Sequence, residues 1–244
     1  KNSGYARANS KGCCLKRLRD NCNSKLMAFD LDGTLLDSVP DLSKAVQKTL
    51  AELGLPMQQQ EQVRSWVGNG ARELVKRALS GNIKGEVPEE LFARAYPLFL
   101  HHYGEHLNCD SVLYEGVEQT LFALKEAGIA LACITNKPTQ FTLPLLEQFG
   151  LSHLFTKVIC GDTFEQRKPH PMPLLEAAKF FNVSPAESIM VGDSVTDIKA
   201  AQAAGFYSIC VDYGYHGDDD VHKLGADVVI GHFSEINQLL KQVA

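Results

Sequence analysis

The sequence predicts an α/β fold, a parallel β-sheet with helices between its strands, interrupted once by an inserted helical domain. Three observations carry this expectation. After Lys25, short apolar runs alternate with segments of helical periodicity, the pattern of strand–helix–strand units. From about Ser38 to Asp110 the alternation stops and only helical periodicity remains. Four clusters of chemically versatile residues each fall at or just past the C-terminal end of a predicted strand, the edge at which open α/β sheets bind ligands.

Taken in order, residues 1–24 form a basic, polar leader (Lys1, Arg7, Lys11, Lys16, Arg17, Arg19) with neither apolar periodicity nor an apolar signal core. It reads as a disordered leader or an appended extension. Leu26 to Phe29 is the first strand. Within 38–110, three apolar stripes read as helices: Leu42 to Leu53, ended at Gly54; Ala71 to Leu79; and Leu91 to Tyr103, with Pro97 inside it. The remaining strands are expected at Ile129–Ile134, Lys157–Cys160, Ser188–Val191, Tyr207–Val211 and Asp227–Ile230. Between them lie helices from Val117 towards Gly128, from Pro138 to Gly150 with Pro144 expected to kink or split it, from Pro173 to Phe181, and from Ile198 to Ala204, stopped by Gly205. The expected division is a core of 25–37 and 111–244 with an inserted helical domain at 38–110.

Bulk properties narrow the function. With 244 residues, 45% hydrophobic and 22% charged, the chain can bury a core without staples. A formal net charge of -5 disfavours nucleic acid and anionic membrane as partners, and no apolar run approaches the roughly 18 residues of a membrane span. The seven cysteines are odd in number and form no paired CxxC spacing. Cys133, Cys160 and Cys210 lie in or beside predicted strands and read as reduced core thiols, which points to the cytoplasm. Cys13 and Cys14 have no nearby metal-ligating partner.

The first chemical cluster is Asp30-Leu31-Asp32-Gly33-Thr34. Residues two apart on extended backbone point the same way, so Asp30 and Asp32 can share one site, and two such acids call for a cation such as Mg²⁺. An Asp-Gly turn with solvated acids is the plainer alternative. The second is Thr135-Asn136, whose hydroxyl and neighbouring N–H groups suit phosphate oxygens, or simply a helix cap. The third is Lys168 before Pro169, a charge able to neutralise a carboxylate and a phosphoryl group, or a solvated lysine. The fourth is Gly192-Asp193-Ser194 with Asp197, acids able to hold a hard cation, or caps of the next helix.

The ordered set, DxDGT, T-N, K-P and GDSxxD, resembles the haloacid dehalogenase-like superfamily from Lys25 to Ala244. The resemblance implies a three-layer Rossmann-like core with an α-helical C1-type cap. It implies Asp30 as a nucleophile forming an aspartyl phosphate, and Asp32 as general acid and then base. Thr135, Asn136 and Lys168 would hold the phosphoryl group, and Mg²⁺ would sit at Asp30, the backbone carbonyl of Asp32 and Asp193, with Asp197 supporting the metal directly or from behind. In the insertion, Gly68-Asn69-Gly70 opens a predicted helix whose N-terminus can receive an anion, with Arg72 or Arg64 nearby, though a plain turn is the alternative. FDLDGTLLDSVPDL, VRSWVGNGARELVKRAL, ITNKP and Gly161-Asp162 together resemble bacterial phosphoglycolate phosphatases. That implies a small phosphorylated metabolite, 2-phosphoglycolate, as substrate, and a monomer or homodimer in the cytoplasm. Alternatives are another small-molecule phosphatase, a β-phosphoglucomutase-like enzyme, or an inactive scaffold of the same fold.

Overall fold

The computed structural model describes residues 24–217 and 219–241. The leader expected over 1–24 lies, apart from Ser24, outside the described residues, as do Cys13, Cys14 and Cys22. Six strands form the main sheet: β1 (Leu26–Phe29), β4 (Ala130–Ile134), β5 (Lys157–Ile159), β6 (Ser188–Gly192), β7 (Tyr207–Val211) and β8 (Val228–Ile230). Their order is β5-β4-β1-β6-β7-β8, and every neighbouring pair is parallel.

The strands are continuous apolar runs because both faces are covered. Side chains alternate between faces along a strand. On β1, Leu26 and Ala28 pack with α7 (Met172–Phe181) and α8 (Val195–Ala204). Met27 and Phe29 pack on the other face with α5 (Val117–Glu126), α6 (Thr139–Gln148) and α9 (Glu235–Lys241). The result is three layers. Phe29 stands level with Cys133 of β4 and Val191 of β6. The chain therefore leaves β1, β4 and β6 at one edge, carrying Asp30, Thr135 and Asp193 there together.

Between β1 and β4 the chain departs into four helices: α1 (Val39–Glu52), α2 (Gln60–Trp66), α3 (Ala71–Ser80) and α4 (Glu89–Glu105). The apolar stripes expected of α1, α3 and α4 supply their buried faces: Leu42, Ala45, Val46 and Leu50; Leu74, Val75 and Ala78; Phe92, Ala95, Phe99 and Tyr103. The sequence carried no signal that separated α2. It also missed β2 (Leu36–Asp37) and β3 (Val112–Leu113), a two-residue antiparallel ribbon joining the exit and return of the insertion. Such a ribbon is too short for any periodicity to register.

Of the kink or split expected at Pro144, the split does not occur: α6 runs through it from Thr139 to Gln148. The missing N–H removes one hydrogen bond, but Phe141, Thr142, Leu145 and Leu146 form a buried face that holds the turns on either side. α4 likewise contains Pro97. No described helix is long and apolar enough to cross a membrane.

Candidate active site

Asp30 follows the central strand and is nearly fully buried. Its Oδ1 accepts from the Leu31 N–H at 2.8 Å and lies 3.0 Å from Lys168 Nζ. Among the described residues Oδ2 has no hydrogen-bond donor, so it is the carboxylate atom open to a ligand. Lys168 is itself locked in place. Its ammonium donates to the Ile134 carbonyl at 2.6 Å and to Asp197 Oδ1 at 2.7 Å. Asp197 Oδ2 accepts from the Ser194 N–H and hydroxyl, closing the first turn of α8. Both Asp197 oxygens are thus engaged, one orienting Lys168 and the other capping a helix.

Asp193 follows β6. Its Oδ1 accepts from the Thr34 hydroxyl at 2.8 Å and its Oδ2 from the Tyr215 N–H at 2.6 Å. This packing demands glycine at position 33. The backbone there has φ +85°, and a Cβ would stand 2.2 Å from Asp193 Oδ2. Thr135 sits at the end of β4, where its hydroxyl oxygen accepts from the Lys137 N–H at 3.2 Å and its O–H hydrogen remains to be donated. Asn136 uses its amide to clamp two carbonyls, Lys168 at 2.9 Å and Gly68 at 3.1 Å, while its own Oδ1 is buried without a partner. Asp162, noted with Gly161 in the sequence, accepts from the N–H and hydroxyl of Thr139 and so fixes the start of α6 just beyond this loop.

Asp32 faces a different set. Lys137 Nζ lies 3.0 Å from each of its oxygens, and the Ser38 hydroxyl donates to Oδ1 at 2.6 Å. Lys137 is almost fully buried and also stands over the Tyr103 ring, 4.7 Å from the centroid. Coulombic attraction from Asp32 and Tyr103, with the hydrogen bonds to Asp32, outweighs burial and pushes its ammonium upward from the usual lysine range. Burial pushes the Tyr103 phenol up to about 12, against the pull of Lys137. The Tyr103 hydroxyl is close enough to feel that ammonium, yet no atom meets it with hydrogen-bond geometry. Neither Lys137 nor Tyr103 was singled out from the sequence. Lys137 lay inside the ITNKP run unassigned, and Tyr103 belonged to an apolar stripe.

A cavity with about 440 Å³ of empty space, part of it open to solvent, joins these groups. Asp30, Asp32, Thr135, Asn136 and Lys137 line it from the core. Val67, Gly68, Gly70, Leu74, Phe99 and Tyr103 line it from the helical insertion. The structure thus brings Gly68 and Gly70 to the cavity. Asn69 instead donates to the Thr196 hydroxyl at 3.2 Å, across to α8. Arg72 does not line the cavity. Its guanidinium lies over the Phe92 and Tyr96 rings, at 4.7 and 5.2 Å from the centroids. The helical repeat explains the difference: α3 turns Leu74 inward, and Arg72, two residues earlier, falls on another face. Arg64 is likewise committed, to Asp37 at 3.2 Å.

The donor set fits a hard cation. Asp30, Asp193 and Asp197 each present a carboxylate oxygen, all within 4.8 Å of one another. One ammonium, Lys168, pairs with two of these three acids, Asp30 and Asp197, so the cluster keeps an excess of negative charge. Burial pushes Asp30 up to about 7, opposed by Lys168 and reinforced by Asp197. Burial, with Asp197 and Asp30 beside it, holds Asp193 well above the usual carboxylate range. A divalent ion with oxygen ligands offsets that excess. Asp30 and Asp193 have lone pairs to offer, and Asp197 is the most committed of the three.

Residues 27–211 match the family described as haloacid dehalogenase-like hydrolase. A protein from Nitrosococcus oceani named phosphoglycolate phosphatase is 44% identical over 220 residues, covering 90% of this chain and 98% of the relative. Another of that name, from Thiobacillus denitrificans, is 44% identical over 211 residues, covering 86% and 93%. A crystal structure of a predicted phosphoglycolate phosphatase from Haemophilus somnus superposes with a TM-score of 0.85 at 37% identity, covering 89% of this chain and 98% of that one.

Proposed function

The chain belongs to the haloacid dehalogenase-like hydrolase family, and on that premise we propose that it hydrolyses 2-phosphoglycolate to glycolate and phosphate through an aspartyl-phosphate intermediate. The observation that carries the chemistry is a carboxylate oxygen, Asp30 Oδ2, left without a donor beside a buried, fixed ammonium. The substrate rests on the relatives. Residues 25–37 and 111–244 act as the catalytic core, and 38–110 as the cap that covers it.

In this mechanism Asp30 Oδ2 attacks phosphorus in line with the glycolate oxygen. The bond from phosphorus to that oxygen breaks, and Asp32 in its acid form transfers its proton to the departing alkoxide. Asp32, now a carboxylate, takes a proton from water as the water oxygen attacks the phosphoryl group. The bond to Asp30 breaks, releasing phosphate and restoring both aspartates. The Thr135 hydroxyl holds a phosphoryl oxygen, the Lys168 ammonium beside Asp30 offsets the phosphoryl charge, and Asp197 acts by holding Lys168. Asp30, Asp193 and the backbone carbonyl of Asp32 would hold Mg²⁺, which would supply positive charge against the phosphoryl oxygens. The helical cap excludes water and adds contacts to the rest of the substrate.

The test is phosphate release with Mg²⁺ from 2-phosphoglycolate, β-glucose 1-phosphate and an aryl phosphate, with Asp30→Asn as control. The expected outcome is preference for 2-phosphoglycolate, lost with chelator and in the variant. Similar slow release from all three rejects the substrate. No release from folded, metal-loaded protein rejects the activity.

A further inference from the structure

The cavity holds a cationic and a phenolic group, Lys137 and Tyr103, that the phosphoryl chemistry does not touch. Among the described residues that line it, Lys137 is the only cationic side chain. The two arginines that the sequence offered for a substrate carboxylate are engaged elsewhere, Arg64 with Asp37 and Arg72 with the rings of α4. Beside Lys137 stands the Tyr103 hydroxyl, buried and without a hydrogen-bond partner. A buried phenol left unpaired costs stability unless a ligand completes it. The ammonium has three donors, and Asp32 takes two of them. The backbone at Gly70 and Ala71 closes the same wall with the N-terminus of α3, a ten-residue helix whose first N–H groups have no acceptor within the helix.

We propose that Lys137 and Tyr103 form the specificity site for this enzyme, receiving a carboxylate carried two bonds from the oxygen that leaves phosphorus. This deepens the phosphatase reading and rests on it. The distances support the placement. To protonate the leaving oxygen, Asp32 must approach it to about 2.6–3.2 Å. Lys137 Nζ is 3.0 Å from both Asp32 oxygens. A carboxylate one methylene beyond the leaving oxygen therefore falls within reach of the ammonium, and the Tyr103 hydroxyl donates to its second oxygen. The walls beyond, Leu74, Phe99 and Phe141, are apolar and offer nothing to a hydroxyl-rich sugar. The favoured class is a small, carboxylate-bearing phosphomonoester. Lys137 also holds Asp32, so the residue that reads the substrate positions the group proposed as acid and base.

The experiment measures the ratio of kcat/KM for 2-phosphoglycolate to that for ethyl phosphate, in which a methyl group replaces the carboxylate. Working with a ratio cancels the loss that any disturbance of Asp32 imposes on both esters. Lys137→Met is expected to lower the ratio by about 100-fold and Tyr103→Phe by about tenfold, through KM for the acidic ester. Arg72→Met is expected to retain the parent ratio. An unchanged ratio in Lys137→Met and Tyr103→Phe, or a larger fall in Arg72→Met, overturns the site, as does a parent enzyme that fails to distinguish the two esters. A third ester, 2-phospholactate, separates the two readings. If it is strongly preferred and its advantage over ethyl phosphate collapses in Lys137→Met, the carboxylate site stands and 2-phosphoglycolate is rejected as the substrate.

Discussion

Lys168 shows how much one side chain can be asked to do. Its ammonium is buried and touches Asp30, Asp197 and the Ile134 carbonyl. Those two acids push it upward from the usual lysine range despite burial, so it remains a cation. Removing it leaves buried carboxylates uncompensated, a loss of about 3–5 kcal/mol. Lys168→Met is therefore expected to melt roughly 6–20 °C lower in a calorimetric scan, as well as losing phosphate release. Lys168→Arg tests geometry separately from charge, and it too should fail, because a guanidinium cannot occupy the pocket of an ammonium that meets three oxygens. At this scale much of the site was legible. Asp30, Thr135, Lys168 and Asp193 were marked by their positions after strands, and the folded chain gathers them. Lys137, Tyr103 and Tyr215 were not, since a lysine one residue past a noted pair and two tyrosines in unremarkable segments carry no local signature.

Among the elements, the junction between insertion and core is the least predictable and the most constrained. Asp41, in the first turn of α1, is completely buried. Its carboxylate accepts from the N–H groups of Cys109, Asp110 and Ser111 and from the Ser111 hydroxyl. It thereby ties the outgoing chain to the returning one, beside the β2–β3 ribbon. Asp41→Ala leaves those donors without an acceptor and should cost roughly 2–4 kcal/mol in denaturant unfolding, with faster amide exchange at 109–111. A second tie crosses from the insertion to the core, through Asn69 to Thr196 and Asn136 to Gly68. The Gly68-Asn69-Gly70 segment is thus as much a docking loop as a wall of the cavity. Asn69→Ala is expected to raise KM several-fold with little change in melting temperature, which steady-state kinetics and a thermal scan together would reveal. Helical periodicity identified the stripes of α1, α3 and α4 because each packs one face inward. It was silent on α2, which buries only Val63 and Trp66.

Over the whole molecule, three layers converge on one acidic edge, and the charge imbalance there links metal binding to folding. Any ion bound by the native site alone stabilises the fold by mass action, by about 2.7 kcal/mol at a hundredfold excess over Kd. Mg²⁺ is accordingly expected to raise the melting temperature by several degrees, and Asp193→Asn to abolish that rise while the protein stays folded; an identical rise in the variant would place the ion elsewhere. By itself the sequence determined the layers, because burial on both faces of a parallel sheet imposes continuous apolar runs, and helices in between impose their own period. It also determined which strand ends carry acids and a hydroxyl, because covalent order places Asp30, Thr135 and Asp193 just past their strands, whereas Lys168, nine residues beyond β5, reaches the site only through folding. Only the tertiary structure decided which cation meets which carboxylate: Lys168 with Asp30 and Asp197, Lys137 with Asp32, Arg64 with Asp37, and Arg72 with aromatic rings instead of the cavity. Those pairings join residues far apart in the chain, and local periodicity holds no information about contacts that are set by how whole elements pack.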